Sequence, residues 1–223
     1  MTAAPLLRPV DAASVVLIDR SEGRFRVLVG RRSSRHVFMP DVYVFPGGRR
    51  DRGDSRMPVL SCLHEATSAR LSIRTHARMR EATLQGLGVA ALRELHEEAG
   101  LVVGRRTSSD ERLGTPFLPD LSHLRFFARA ITPPGPPRRF DARFFALFTD
   151  DAGVDPASAQ DSPELFDLHW VDIFEELKIE MPAITVTVLE ELKNSLQRDP
   201  TLPFGDQAAL FMHRRGRFVR DTL

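Results

Sequence analysis

Glu94, Glu97 and Glu98 lie close together behind Arg93 in the run Arg93-Glu94-Leu95-His96-Glu97-Glu98-Ala99-Gly100-Leu101. On a helix turning about 100° per residue, with Glu94 at 0°, Glu97 falls near ~300° and Glu98 near ~40°, so the three carboxylates share an arc of roughly 100°. Leu84, Gly88, Leu92, Leu95 and Ala99 occupy about 80° to 160° of the same wheel, which makes one face apolar core and the other a carboxylate cluster. Like charges at these spacings repel by a few tenths of a kcal/mol each, so a positive charge is expected beside them. Carboxylate oxygens are hard ligands suited to Mg²⁺ or Mn²⁺, which retain coordination places for water and phosphate oxygens. The competing reading of the acidic triplet alone is a solvated helix face.

Such a cluster needs a scaffold, and the flanking sequence predicts one. Ser14 to Asp19 and Phe25 to Gly30 are β-branched apolar runs around a polar turn, and Val42 to Phe45 is a short strand that stops at Pro46-Gly47-Gly48. Helical spacing runs from Pro58 to Ala99, first through Val59, Leu63 and Ala66 and then through the series ending at Ala99, with Gly100 as C-cap. Strands return at Leu124 to Ile131 and Arg143 to Phe148, joined by the Pro-rich link from Thr132 to Pro137. A last strand over Leu165 to Val171, helices over Ile173 to Leu177 and Ile184 to Leu196, and a solvated tail bearing Arg214, Arg215, Arg217 and Arg220 complete the reading. Without regular βαβ alternation, the order favours an α+β protein: a mixed sheet with helices layered on it, in a single domain over 1–223.

The composition narrows the function. With 42% hydrophobic and 27% charged residues, the chain reads as a globular protein, and no apolar run approaches the roughly 20 residues of a membrane helix. Thirty-one Lys and Arg against 30 Asp and Glu give +1, which supplies no field to draw nucleic acid or a membrane surface. The single Cys62 excludes an internal disulfide and reads as packed filler, and the opening residues do not read as a signal peptide, so the expected location is cytoplasmic. Gly86-Leu87-Gly88 matches a loose dinucleotide fingerprint, but charged helical residues precede it where a buried strand is required. Arg31, Arg32, Arg139 and Arg143 are candidates for substrate phosphates because guanidinium forks match phosphate oxygens; the alternative is a structural or surface role.

Arg93 to Leu101, preceded by Gly48 and Asp54, resembles the signature of the Nudix hydrolase family: a glycine, five residues, an acid, a spacer, then Arg-Glu-apolar-x-Glu-Glu-x-Gly-apolar. Asp54 stands where the family usually has Glu. Between that acid and Arg93 lie 38 residues where the family places seven, an excess of 31 that predicts a helical insertion at about 55–85. An interrupted box resembles the peroxisomal-type coenzyme A diphosphatases, as do Tyr43 to Gly48, the block Arg138 to Phe145, and Glu164 six residues before Trp170. The chain ends Asp221-Thr222-Leu223 without a Ser-Lys-Leu address, so a peroxisomal location is not implied.

The resemblance implies a layered α/β/α sandwich with a mixed sheet and a metal-dependent hydrolase acting on diphosphates of nucleosides. It implies Glu94, Glu97 and Glu98 as metal ligands, one of them alternatively the base that activates water. Gly47 would offer a backbone carbonyl to the metal, and Arg93 would orient the glutamates, often through the acid held here by Asp54. The cofactor implied is Mg²⁺ or Mn²⁺ and the partner a small-molecule diphosphate, with coenzyme A or acyl-coenzyme A as the first expectation. ADP-ribose, NADH and dinucleoside polyphosphates share the phosphoanhydride, and a non-catalytic nucleotide-sensing module is the rival class. A homodimer is compatible with all of these. The insertion carries Arg56, Arg70, Arg74, Arg78 and Arg80 against Glu65 and Glu81 and is expected beside the cleft, facing an anionic substrate.

Overall fold

The structure, a computed structural model, describes residues 7–33, 41–75, 79–107 and 116–223. Its strands are β1 (Val10–Asp19), β2 (Arg26–Arg32), β3 (Tyr43–Val44), β4 (Gly47–Arg49), β5 (Gly104–Arg106), β6 (Phe117–Pro119), β7 (Arg125–Ile131), β8 (Phe140–Phe148), β9 (Leu165–Asp172), β10 (Ala209–Arg214) and β11 (Arg217–Thr222). Its α-helices are α1 (Glu65–Ser72), α2 (Glu81–Ala99) and α3 (Ala183–Arg198).

Nine strands form one mixed sheet in the order β11-β10-β7-β8-β1-β2-β3, with β4 also on β1 and β9 also on β2, while β5 and β6 pair separately. β1 runs parallel to β8, and β10 parallel to β7; the other pairings are antiparallel. The centre is buried on both faces because apolar residues fill both sets of alternate positions. Ala13, Val15 and Leu17 of β1, with Phe145 and Leu147 of β8, face Leu87, Leu92 and Leu95 of α2. Val16, Ile18, Phe144, Ala146 and Phe148 face Val188, Leu189, Leu192 and Leu196 of α3. The expected α+β class, a helix layer on each side of a mixed sheet, is the observed one.

β1 splits the sheet where the site forms. It pairs with β2 at Ile18 and Asp19, and with β4 at Ala12, Ala13 and Ser14, so the chain after Pro46 inserts beside the first half of the strand. Only glycine permits that approach at position 47, since a Cβ there would fall 2.2 Å from Ser14 Oγ and 2.6 Å from the Ala13 carbonyl oxygen.

Four sequence expectations require correction. Ile173 to Leu177 forms turns, with the Asp172 carboxylate accepting from the Phe174 N–H at 2.9 Å, a side-chain bond that competes with helix formation. The C-terminal arginines belong to the β10–β11 hairpin, turned by Arg215 and Gly216, both at positive φ. Arg220 pairs there with buried Glu191 at 2.7 Å. Cys62 is exposed in the approach to α1.

The insertion is the fourth. Its ends meet: a Cβ on Gly86 would lie 2.6 Å from Ser55 Oγ, so the loop and α2 come together as if the excursion between them were absent. The excursion leads away towards β7 and the C-terminal hairpin. Thr67 donates to the Leu124 carbonyl at 3.0 Å, Arg70 to the carbonyls of Leu223 and Gly205, and Arg74 pairs with Asp221. Residues 76–78, including Arg78, lie outside the described residues. Arg70→Ala removes two charge-assisted hydrogen bonds and should cost about 2 kcal/mol, read as a lower urea midpoint at unchanged slope. An unchanged midpoint would show that the insertion does not brace the hairpin.

Candidate active site

The acidic side chains of α2 come together with the β4 loop for reasons of register. Leu84, Leu87, Leu92 and Leu95 are buried against the sheet, which turns Glu94 and Glu98 towards the gap that β4 occupies. Gly100 ends the helix in the left-handed conformation at φ 70°, as its position predicts. The Gly47 N–H donates to Glu98 Oε2 at 2.8 Å, and Gly48 lies so close to Glu94 that a Cβ would stand 2.3 Å from its Oε1. Gly48→Ala should therefore displace the Glu94 carboxylate and lower turnover at least about tenfold. A wild-type rate would contradict the tight packing of this pair.

Arg93 organises the outer side of the cluster. Its Nε and Nη2 donate to the two oxygens of Asp54 at 3.0 and 3.2 Å, and Nη1 donates to Glu94 at 2.8 Å and Glu97 at 3.1 Å. Asp54 is shorter than the Glu expected in its place. The short 3₁₀ turn over Asp54–Arg56 brings it within reach and buries it at 3% exposure. Burial alone would weaken the Arg93 charge, but Asp54 and Glu94 reverse this and hold its pKa above the ordinary value.

Glu94 and Glu98 open into a cavity of about 700 Å³ together with Gly47, Gly48, Arg32 and Glu164. Burial pushes Glu98 up to about 8 against the opposing Gly47 hydrogen bond, with Glu94 adding to the rise. Burial also raises Glu94, with Arg93 opposing. Arg32 is lowered by burial, while Glu98, Glu164 and Glu94 work the other way.

The other expected site residues separate. Glu97 is bound to Arg93 with its side chain half-exposed and does not line the cavity. Of the adjacent arginines on β2, Arg32 reaches the cavity, whereas Arg31 sits 3.9 Å from Asp41 and near the Phe166 ring, as alternation along a strand requires. Arg139 lines the cavity but spends donors on the Thr132 carbonyl, at 3.1 Å, and on the Leu7 carbonyl. Arg143 is a correction: at 1% exposure it is paired with Asp11 at 2.7 Å and Asp141 at 3.2 Å inside the sheet, so it cannot present its guanidinium to a substrate. None of the described insertion residues lines the cavity, so the expected place of the insertion beside the cleft, facing the substrate, is a correction too. Glu164 and Arg138, which carry the family resemblance in the sequence without a site role, both line the cavity.

Among the described residues, no group of three or more His, Cys, Asp or Glu side chains is already gathered to hold a metal. The donor chemistry nevertheless fits a hard divalent cation. Glu94 and Glu98 share one cavity with Glu164, and burial raises the pKa of the first two, which a cation in their midst would reverse. Glu97 can join them only by leaving Arg93.

No protein-family model matches the chain. It is similar to the Caenorhabditis elegans protein named as nudix hydrolase 7, at 26% identity over 181 residues, covering 73% of this chain and 51% of that protein. The chain thus spans about half the length of the relative. Among solved structures, a Nudix hydrolase from Alicyclobacillus acidocaldarius superposes with a TM-score of 0.57 at 23% identity, over 82% of this chain and 90% of the other. The Nudix domain of Shewanella oneidensis NrtR, solved with ADP-ribose, gives 0.51 at 12% identity over 85% and 90%. These likenesses establish the architecture: the chain is folded as the Nudix hydrolases are.

Proposed function

We propose that the protein is a Nudix hydrolase that uses Mg²⁺ or Mn²⁺ to cleave the diphosphate linkage of a nucleoside diphosphate derivative in the cytoplasm, with coenzyme A or acyl-coenzyme A as substrate. The observation that carries this reading is the meeting of Glu94 and Glu98 with Gly47, Gly48 and Arg32 in one cavity. Glu94 and Glu98 would hold the cation, Glu97 joining them once released from Arg93, and the Gly47 carbonyl would add a backbone ligand. When bound, the cation neutralises the diphosphate and lowers the pKa of the attacking water. One of the cavity carboxylates receives the proton of that water. Arg32 and Arg139 face the anionic substrate, while Arg93, fixed on Asp54, limits where Glu94 and Glu97 can point.

Water attacks one phosphorus of the anhydride, the bridging P–O bond breaks, and coenzyme A yields a phosphopantetheine and adenosine 3′,5′-bisphosphate. The choice of coenzyme A rests on the interrupted box and the Arg138 to Phe145 block, from which Arg138, Arg139, Phe140 and Phe144 line the cavity. Chromatography of products from coenzyme A, ADP-ribose, NADH and a dinucleoside polyphosphate tests it. The expected result is the highest kcat/KM for coenzyme A; preference for any other compound would overturn the substrate, and tight nucleotide binding without turnover would favour a sensing module.

A further inference from the structure

The cavity that holds Glu94 and Glu98 is also lined by the start of α3. That helix begins behind Pro182, which supplies no side-chain cap, and the first bonded N–H of its opening turn is that of Val186, to the Pro182 carbonyl at 3.1 Å. The N–H groups of Ala183, Ile184 and Thr185 have no acceptor among the described residues. Such groups carry the positive end of the helix dipole and form a ready anion site.

Thr185 is the independent sign that something polar belongs there. It is 5% exposed and lines the cavity, yet its hydroxyl makes no hydrogen bond among the described residues. A hydroxyl that opens to the cavity and bonds no described residue can donate to or accept from a ligand atom there. Phe45 and Phe144 also line the cavity, and apolar walls strengthen hydrogen bonds that form beside them. Arg8, Arg138 and Arg139 line the same cavity and favour an anion over a neutral group.

We propose that the N-terminus of α3, through the N–H groups of Ala183 to Thr185 and the Thr185 hydroxyl, binds a phosphomonoester that the substrate carries in addition to its diphosphate. This deepens the proposed function, on which it rests for the diphosphate lying at Glu94 and Glu98. The substrate class becomes a nucleoside diphosphate derivative bearing a further terminal phosphate.

The test is calorimetric binding of coenzyme A and of its 3′-dephosphorylated form to the full chain in chelator, where no turnover intervenes. Wild type should bind coenzyme A at least about tenfold more tightly than the dephosphorylated form. Thr185→Val, close in shape, should bring the ratio near unity, Thr185→Ser should preserve it, and Arg138→Ala should reduce it. Equal affinities in wild type, no binding of coenzyme A, or an unchanged ratio in Thr185→Val would overturn the site. Failure of the proposed hydrolysis is distinguishable: it would appear as absent turnover with metal while the binding ratio persists.

Discussion

Glu98→Gln should leave a folded protein whose metal-dependent turnover of diphosphates falls at least about 10²-fold, because under the proposed function it removes a cation ligand without removing a core contact. Glu98 is 6% exposed, receives the Gly47 N–H at 2.8 Å and opens into the cavity. A second signature separates loss of charge from loss of fold. Burial lifts the Glu98 carboxyl to about 8, so the metal-free folded chain retains a proton that the unfolded chain releases near the ordinary Glu value of about 4.3. The folded state then binds more protons between those two values, and its stability declines as pH rises through that window. Glutamine carries no such proton, so between pH ~5 and ~8 the metal-free Tm should fall further in wild type than in Glu98→Gln. A divalent cation competes with the same proton, so metal affinity should rise with pH over that range. Undiminished turnover in Glu98→Gln, or parallel pH dependence of the two Tm values, would contradict the role given to this residue.

The second large effect is structural. Arg143→Ala should destabilise the protein by about 3 to 5 kcal/mol, the range found when one member of a buried ion pair is removed. Arg143 lies between Asp11 and Asp141 in a chain of charges that continues from Asp11 to Arg50 at 3.5 Å, and from Asp141 through Arg129 to the Arg74 carbonyl of the insertion. Its Nη2 is buried without a hydrogen-bond partner among the described residues, and burial lowers its pKa despite the two carboxylates. Methionine fills similar volume with no charge to desolvate, so Arg143→Met should lose less than Arg143→Ala. Urea midpoints check both. A selective loss of coenzyme A affinity in Arg143→Met, with stability intact, would return this arginine to the substrate.

The contrast between Arg143 and Glu98 shows what a linear chain discloses. The carboxylate face of α2 is legible because 3.6-residue periodicity places Leu84, Leu92, Leu95 and Ala99 on the core and leaves Glu94 and Glu98 along its edge. The central strands are legible from their β-branched runs. Arg143 misleads because a guanidinium suits phosphate and a buried carboxylate pair equally well, and its partner Asp11 is 132 positions away in the chain. Arg31 and Arg32 differ only in strand phase, which the bulge in the pairing of β2 with β9 makes hard to read. The C-terminal hairpin hides because Arg215 takes a left-handed conformation that composition assigns more readily to Asn or Gly. The direction of the insertion depends on the Leu223 and Gly205 carbonyls that hold Arg70, contacts that no local pattern announces.

The most direct test of the central claim, that Glu94 and Glu98 support metal-dependent diphosphate hydrolysis, is release of phosphomonoester from a panel containing coenzyme A and ADP-ribose. The full chain is assayed after chelation and again after adding back Mg²⁺ or Mn²⁺. The account predicts no turnover in chelator, recovery with either cation, and at least about 10²-fold lower recovery in Glu98→Gln. Turnover that persists in chelator, or none for any diphosphate with either cation, would contradict it.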